Sequence, residues 1–284
     1  DAAYVAAYDV SDPNNISEVG RYRSSLSAGQ SIPHNVKVLN DFLVLAYYKD
    51  GVNIVDAARP HNMIEVGYFD TNPLSGPGFD GVWGLECYSP SGRIYAADMS
   101  QGFWALNPTY RRACYLEGEV TDFSNGNPIT NATVTILGST ATDLTSNFGL
   151  YATGVADSGT YNIRYSKYGY QDTTITALLD NGVLTVRDIA LRPNPRVAMT
   201  VNVIEDGSGN PIPEAGIVFQ EITSGIPTTY TTNAQGQIVD NNFMASNYHL
   251  IAGHWGHVTE QLDTFITANT NTITVSLAKG YYDD

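Results

Sequence analysis

Long hydrophobic runs and basic side chains are both scarce in this chain of 284 residues. The longest apolar stretch, Phe42 to Tyr48, is far shorter than the ~20 residues that a membrane-spanning helix needs. The chain has 14 basic against 29 acidic side chains, which gives a formal net charge of −15. Such a charge repels nucleic acid and anionic lipid head groups. We therefore expect neither nucleic-acid binding nor membrane insertion.

Cysteine is also scarce, since Cys87 and Cys114 are the two in the chain. They could form one intrachain disulfide, or they could be two free buried thiols. Charged residues make up only 15% of the chain, and the polar side of the composition is rich in Asn, Thr, Ser, Gly and Tyr. This balance is common in secreted β proteins. We predict a location outside the cell or on its outer surface.

Helical periodicity is absent, because no segment keeps a 3.6-residue apolar spacing over eleven or more residues. Short runs of alternating apolar and polar residues recur instead, separated by Gly, Pro, Asn and Asp. A hydrophobic content of 43% is enough to form a core in each of two or three domains. The pattern predicts an all-β chain.

The second half of the chain contains a duplicated module. Gly-Asn-Pro-Ile occurs at residues 126–129 and again at 209–212, an offset of 83, and further pairs follow at an offset of 87. These pairs are Gly149 with Gly236, Tyr161 with Tyr248, and Gly169 with Gly256. A repeat of about 85 residues has the size of an independently folding domain. We predict two tandem domains at 116–194 and 197–280.

The first 115 residues contain a different repeat. The segment from Val5 to Tyr22 aligns with that from Val52 to Phe69 at an offset of 47, and Gly102 to Asn107 aligns with Gly51 to Asp56 at an offset of 51. A period in the forties with several short strands per unit is typical of β-propeller blades. We predict about two to three blades, the C-terminal part of a propeller, at 1–115. This number cannot close a ring, so we expect further blades upstream of Asp1 or partner strands from another chain.

Both regions resemble known families. The first resembles the LVIVD-repeat propellers of secreted bacterial proteins, the group named choice-of-anchor B, on the runs Pro33–Val36, Tyr48–Asp56, Trp83–Gly84, Pro90–Gly92 and Ala97–Met99. The first module of the duplication resembles the carboxypeptidase regulatory-like family, on Gly118–Asp122, Gly126–Ile129, Ala132–Val134, Asn147–Tyr151, Gly159–Tyr161 and Gly169–Tyr170. This second resemblance implies a transthyretin-like β-sandwich without peptidase activity. The second module is the more divergent copy, since Ser246-Asn247-Tyr248 replaces Gly-Thr-Tyr.

Metal ligands could come from two groups of residues. Asp122, Asn125 and Asn127 are oxygen donors that could hold Ca²⁺, although Asp and Asn are also ordinary turn residues. His254 and His257 could hold copper or zinc, but the first module has Lys167 and Tyr170 at the same places. We therefore expect no metal and no cofactor, with Ca²⁺ as the alternative.

Aromatic side chains are the stronger functional signal. Tyr47, Tyr48, Trp83 and Trp104 lie in the blade region, where a propeller face could bind a protein or glycan ligand. Serine-hydrolase, zinc-protease and phosphate-loop motifs are all missing from the sequence, and we predict that the protein is not an enzyme.

We expect a surface protein for adhesion or scaffolding, in which the propeller is the recognition or packing element and the sandwiches form a stalk. Two alternatives stay open. The chain could be the non-catalytic part of a larger exported hydrolase, or a subunit of an extracellular polymer that self-associates through an open blade edge.

Overall fold

In the computed structural model, which describes residues 3–24, 26, 30–73, 78–270 and 272–280, every regular element is a β-strand. The described residues include no helix that is long and apolar enough to cross a membrane. The chain divides into two compact units, one of residues 1–166 with 172–191 and the other of residues 167–171 with 192–284. The all-β prediction is confirmed. The predicted domain boundaries stay a prediction.

The first unit begins with a stack of three antiparallel sheets, which we name the half-sheet, the middle sheet and the terminal sheet. The half-sheet is β1 (Val5–Asp9) and β2 (Ser17–Tyr22). The middle sheet is β3 (Asn35–Leu39), β4 (Phe42–Ala46), β5 (Val52–Asp56) and β6 (Ile64–Phe69), in that order. The terminal sheet is β7 (Val82–Glu86), β8 (Ile94–Asp98) and β9 (Gly102–Leu106). Each sheet is open, and the described residues form no closed ring of sheets.

Turn chemistry explains why the middle sheet folds back on itself. Asn40 and Asp41 join β3 to β4 with φ of 50° and 64°, the left-handed conformation that a two-residue hairpin requires and that Asn and Asp tolerate well. Gly51 precedes β5 with φ of 74°. A Cβ at this position would lie 2.1 Å from the Phe69 carbonyl oxygen, so only glycine fits.

The middle sheet is buried on both faces. One face packs on the half-sheet through a core that contains Tyr22, Leu45, Tyr47 and Val55. The other face packs on the terminal sheet through a second core, which includes Val44, Ala46, Val52, Ile54, Val66, Val82 and Ile94. Period-two alternation places the two sets of side chains on opposite faces of the same strands.

The first unit also contains a β-sandwich. Its first sheet is formed by β10 (Cys114–Asp122), β13 (Leu150–Val155), β16 (Leu184–Val186) and β17 (Ile189–Leu191), with β10 parallel to β16 and β17. Its second sheet has the order β12-β11-β14-β15, from β11 (Thr133–Ile136), β12 (Thr142–Leu144), β14 (Gly159–Ser166) and β15 (Thr173–Leu179).

The second unit repeats this sandwich. Its first sheet has the order β21-β18-β24, and its second sheet has the order β20-β19-β22-β23. The strands are β18 (Arg196–Glu205), β19 (Gly216–Glu221), β20 (Pro227–Thr231), β21 (Gln237–Met244), β22 (Asn247–Gly253), β23 (Glu260–Phe265) and β24 (Thr272–Leu277). The paired turn glycines Gly149 and Gly236 have φ of 73° and 67°. The matching strand orders and turns explain the duplication in the sequence.

Charged side chains join the stacked sheets to the first sandwich inside the first unit. The Arg59 guanidinium donates to both carboxylate oxygens of Glu117 at 2.7 and 2.8 Å, and Asn62 donates to the same carboxylate at 3.1 Å. Asp56 is fully buried and accepts from Arg112 Nη1 at 2.7 Å and from the Ala113 amide at 2.8 Å. These bonds fix the start of β10 against the middle sheet.

Candidate binding surfaces of the stacked sheets

Four aromatic rings meet where the middle and terminal sheets adjoin, and we name them the aromatic cluster: His34, Tyr48, Phe79 and Trp83. Two backbone hydrogen bonds between Tyr48 and Val82, at 3.2 and 2.9 Å, bring the start of β7 against the end of β4. The His34 and Trp83 ring centroids are 4.2 Å apart, and the Tyr48 and Phe79 centroids are 5.6 Å apart. The local fold therefore gathers residues from three separate segments of the chain.

The outer part of this cluster is open to solvent. Phe79 is 67% exposed and Trp83 is 51% exposed, whereas Tyr48 beneath them is 4% exposed. His34 Nδ1 lies within hydrogen-bond distance of the Trp83 carbonyl oxygen, and Asn35 Nδ2 donates to the same oxygen at 3.3 Å. Exposed rings beside polar groups form the kind of surface on which a sugar ring or a peptide can stack and hydrogen-bond.

Of the four predicted ligand-contacting aromatics, Trp83 is the one that forms part of the exposed surface of the cluster. Tyr47 and Tyr48 are core residues, at 0% and 4% exposed, so the expectation that they contact a ligand is corrected. Tyr47 fills the core between the half-sheet and the middle sheet, and its hydroxyl oxygen accepts from the Ser24 amide at 3.3 Å. Phe79, another aromatic residue of the blade region, is not one of those four candidates, although its position after Gly78 in a polar loop is a signal of exposure.

Trp104 lies in a different place, beside a cavity of about 750 Å³ between the middle and terminal sheets. Much of the lining is apolar and includes Ile54, Val66, Phe69, Ile94 and Leu106. The indole Nε1 of Trp104 is buried and has no hydrogen-bond acceptor among the described residues. A cavity of this size lies within the range of ligand-binding pockets, roughly 300–1,000 Å³.

The predicted calcium ligands form a tight turn. The Asp122 carboxylate accepts from the Ser124 amide at 2.7 Å and from the Ser124 hydroxyl at 2.6 Å. Asn125 Oδ1 accepts from the Asn127 amide at 2.8 Å. These are the local bonds that Asp and Asn make in turns, and the calcium expectation stays a prediction.

The two predicted histidine ligands lie close together. His254 Nδ1 and His257 Nδ1 are 3.3 Å apart, and the other ring nitrogen of His257 is 3.5 Å from Glu205. The Glu205 carboxylate also contacts Lys279 at 3.2 Å and accepts from the Ser208 hydroxyl at 2.7 Å. In the part of the chain that the structure describes, no three His, Cys, Asp or Glu side chains are placed to hold a metal ion.

Cys87 and Cys114 are both buried and have free thiols in the structure. Burial raises the pKa of each thiol above its ordinary value, and Glu86 and Asp180 respectively act in the same direction. A thiol with a raised pKa is a poor nucleophile at neutral pH. A disulfide between them, one of the two alternatives that the sequence left open, stays a prediction.

The buried acids of the stack are held by structural partners. Burial opposes ionisation of Asp98, but hydrogen bonds from Thr71, Gln101 and Ser100 lower its pKa below the ordinary value. Burial likewise opposes ionisation of Asp56, and its pKa is still lowered by hydrogen bonds that include those from Ala113 and Arg112. Glu65 differs, because burial raises its pKa despite hydrogen bonds from Tyr22 and Asn53. The bonds to Glu65 and Asp56 fix neighbouring strands in place.

Comparison with known proteins identifies one of these modules. The family model of the carboxypeptidase regulatory-like domain matches residues 115–192, so the chain contains this domain, and the resemblance noted for the first sandwich is confirmed. The resemblance of residues 1–115 to LVIVD-repeat propellers is not tested by this match. Comparison with curated proteins gave no match.

Solved structures with partial similarity include several bacterial pilins. A streptococcal ancillary pilin aligns over 81% of each chain with 13% identity and a TM-score of 0.41. The minor pilin of Streptococcus agalactiae covers 60% of this chain and 98% of its own, with 12% identity and a TM-score of 0.39. The shaft pilin SpaA of Lactobacillus rhamnosus GG covers 62% of this chain and 100% of its own, with 12% identity and a TM-score of 0.27. Similarity at these levels carries no argument about function.

Proposed function

We propose that this is a non-enzymatic protein of the cell exterior that recognises a protein or glycan ligand through its stacked sheets, with the two sandwiches as a stalk. The stacked sheets are the blades of an LVIVD-type propeller in this proposal. The internal repeat supports that view, since successive repeats form successive sheets that pack face to face.

The aromatic cluster is the observation that carries the proposal. Trp83 and Phe79 expose large apolar rings that are fixed from below by Tyr48 and from the side by His34. Rigid aromatic rings contribute contact area at low cost in conformational entropy, which is why they dominate recognition surfaces. The neighbouring amide of Asn35 adds a polar group with which a ligand could form hydrogen bonds.

Binding of glycan and peptide arrays to the full chain tests this proposal, followed by titration calorimetry on the best ligand. We expect Trp83→Ala and Phe79→Ala each to weaken binding by about tenfold, which corresponds to about 1.4 kcal/mol. Trp255→Ala is the matched control, because Trp255 is 87% exposed and belongs to the second sandwich. Equal losses in all three variants, with unchanged thermal unfolding, would exclude the cluster as the binding site.

A further inference from the structure

The terminal sheet has one strand fewer than the middle sheet. At the repeat offset of 51, the counterpart of β6 is residues 115–120. Those residues belong to β10, which pairs with β13, β16 and β17 in the first sandwich. The edge of β9 that faces away from β8 therefore has no strand partner among the described residues. In the middle sheet, β6 covers the corresponding edge of β5.

Two equivalent glycines differ in what packs against them. Gly20 in β2 and Gly67 in β6 are related by the offset of 47. A Cβ on Gly20 would lie 1.9 Å from the Pro60 carbonyl oxygen, because the turn between β5 and β6 packs directly against it. A Cβ on Gly67 would meet no atom within 4 Å, and Gly67 lines the cavity. Gly20 therefore has a close neighbour from the next sheet of the stack, whereas its counterpart Gly67 has none among the described residues.

The terminal sheet also contains a buried hydrogen-bond donor that has no acceptor among the described residues. In the middle sheet, Asn53 Nδ2 donates to Glu65 Oε2 of β6 at 3.1 Å. Trp104 occupies the place of Asn53 in the terminal sheet, and its buried Nε1 has no acceptor among the described residues. A buried donor without an acceptor is unfavourable, because the group has lost its hydrogen bonds to water. The acceptor that satisfies Asn53 comes from the strand that the terminal sheet lacks.

We propose that the free edge of β9 and the adjacent cavity bind an extended strand of a partner polypeptide. The strand adds to the terminal sheet through backbone hydrogen bonds, inserts alternate side chains into the cavity and presents an acceptor to Trp104. This site is separate from the aromatic cluster and does not depend on its proposed function.

The acceptor on the partner strand is neutral. The Glu65 carboxylate is bonded by both Asn53 and the Tyr22 hydroxyl. At the cavity, Trp104 of the terminal sheet replaces Asn53, and Phe69 of the middle sheet replaces Tyr22 and has no hydroxyl. The cavity lining also includes Arg111, but its guanidinium is already ion-paired with Asp157. The single indole donor of Trp104 does not compensate for burying a second carboxylate. Gln or Thr at this position avoids that cost.

The need for a neutral acceptor favours a strand from a different protein over a strand from a second copy of this chain. The strands of this chain that have the repeat pattern are β2 and β6, and both carry glutamate at the acceptor position, as Glu18 and Glu65. Both are also already paired, with β1 and β5. Residue 116, the third counterpart, is Leu116 and has no side-chain acceptor.

A labelled peptide of residues 62–70 that carries Glu65→Gln tests the proposal with the full chain, by fluorescence anisotropy at neutral pH. We expect saturable binding, and binding at least about tenfold weaker for the unsubstituted peptide, whose carboxylate must be buried. Absence of binding by the Gln peptide, or equal binding of the two peptides, would overturn the proposal.

Two glycine variants of the chain localise the binding. Gly67→Trp fills the cavity, and we expect it to weaken binding of the Gln peptide by about tenfold or more. Gly84→Trp is the matched control, since a Cβ there also meets nothing within 4 Å and Gly84 does not line the cavity. Equal binding by the two variants would overturn the proposal, and thermal unfolding checks that both are folded. If the chain alone forms dimers that Gly67→Trp dissociates, the occupant is a second copy and the partner proposal is wrong.

Discussion

The middle and terminal sheets are built from the same repeat but differ in what covers them. Val44 and Val52 of the middle sheet are 0% and 2% exposed, whereas Phe103, the counterpart of Val52, is 71% exposed. Tyr95, the counterpart of Val44, stacks on Phe103 with ring centroids 5.8 Å apart. The repeat therefore dictates the strands and their alternation, while burial depends on the neighbouring sheet. Aromatic rings replace valines where no described sheet covers the face.

Asp56 and its counterpart Asn107 give the largest expected contrast. Asp56→Ala removes a fully buried carboxylate, so the Ala113 amide loses its acceptor and Arg112 keeps only its bonds to Asn40 and Asp41. We expect the free energy of unfolding to fall by about 3–5 kcal/mol. Asn107 is exposed, so Asn107→Ala changes this free energy by less than about 0.5 kcal/mol. Denaturant unfolding of both variants measures the difference, and similar values would show that the two positions are not structurally distinct.

Gly20 and Gly67 give the next contrast. Gly20→Ala forces a methyl group against the Pro60 carbonyl, which we expect to lower stability by about 1–3 kcal/mol. Gly67→Ala meets open space at an ordinary φ, and we expect it to be neutral or to stabilise by up to about 1 kcal/mol. Thermal unfolding distinguishes these signs. A destabilising Gly67→Ala would mean that the cavity beside β6 is closed in solution.

Val52 and Phe103 occupy equivalent positions of the middle and terminal sheets, and they compare a buried side chain with an exposed one. Val52→Ala removes two buried carbon atoms from the core between the sheets, at an expected cost of about 1.5 kcal/mol. Phe103→Ala removes a much larger but exposed ring, and we expect a change within about 0.5 kcal/mol. Chemical denaturation compares them directly. A larger loss for Phe103→Ala would show that another surface covers the terminal sheet.

The pH dependence of Glu65 is the smallest effect. Burial raises the pKa of this carboxyl above its ordinary value of 4.5, so the folded state binds its proton more tightly than the unfolded state does. The stability that the protonated Glu65 contributes is fully present below the pKa of this carboxyl in the unfolded state. It is lost as pH rises through the pKa in the folded state. Glu65→Gln should remove this loss of stability. The free energy of unfolding of the variant, relative to that of wild type, should therefore be higher at a pH of about 7 than at about 4.5. Unfolding curves at both values measure it, and a gap that is independent of pH would contradict the assignment.

The sequence predicted the strands, the duplicated sandwich and the repeat in the first 115 residues, because alternation and turn residues are local signals. Gly149 and Gly236 are examples, since both occupy positive-φ turns that their spacing indicated. The carboxypeptidase regulatory-like domain was also recognisable from its own motif residues.

The site was harder to predict, because burial depends on contacts between distant segments. Tyr47 and Trp83 are both aromatic residues in alternating runs, yet one is 0% and the other 51% exposed. Which of them reaches the surface depends on the half-sheet, which covers Tyr47. The empty place beside β9 could not be found from the repeat alone, since β10 follows in sequence at the expected distance but pairs within the sandwich.

Hydrogen exchange of individual backbone amides in β5 and β9 tests most directly whether the terminal sheet lacks its fourth strand. We expect the β5 amides to be protected throughout, because β4 and β6 pair with both edges. In β9, we expect the amides that face away from β8 to exchange rapidly in the free chain and to become protected when the Gln peptide is added. Equal protection of β5 and β9 in the free chain would contradict the open edge.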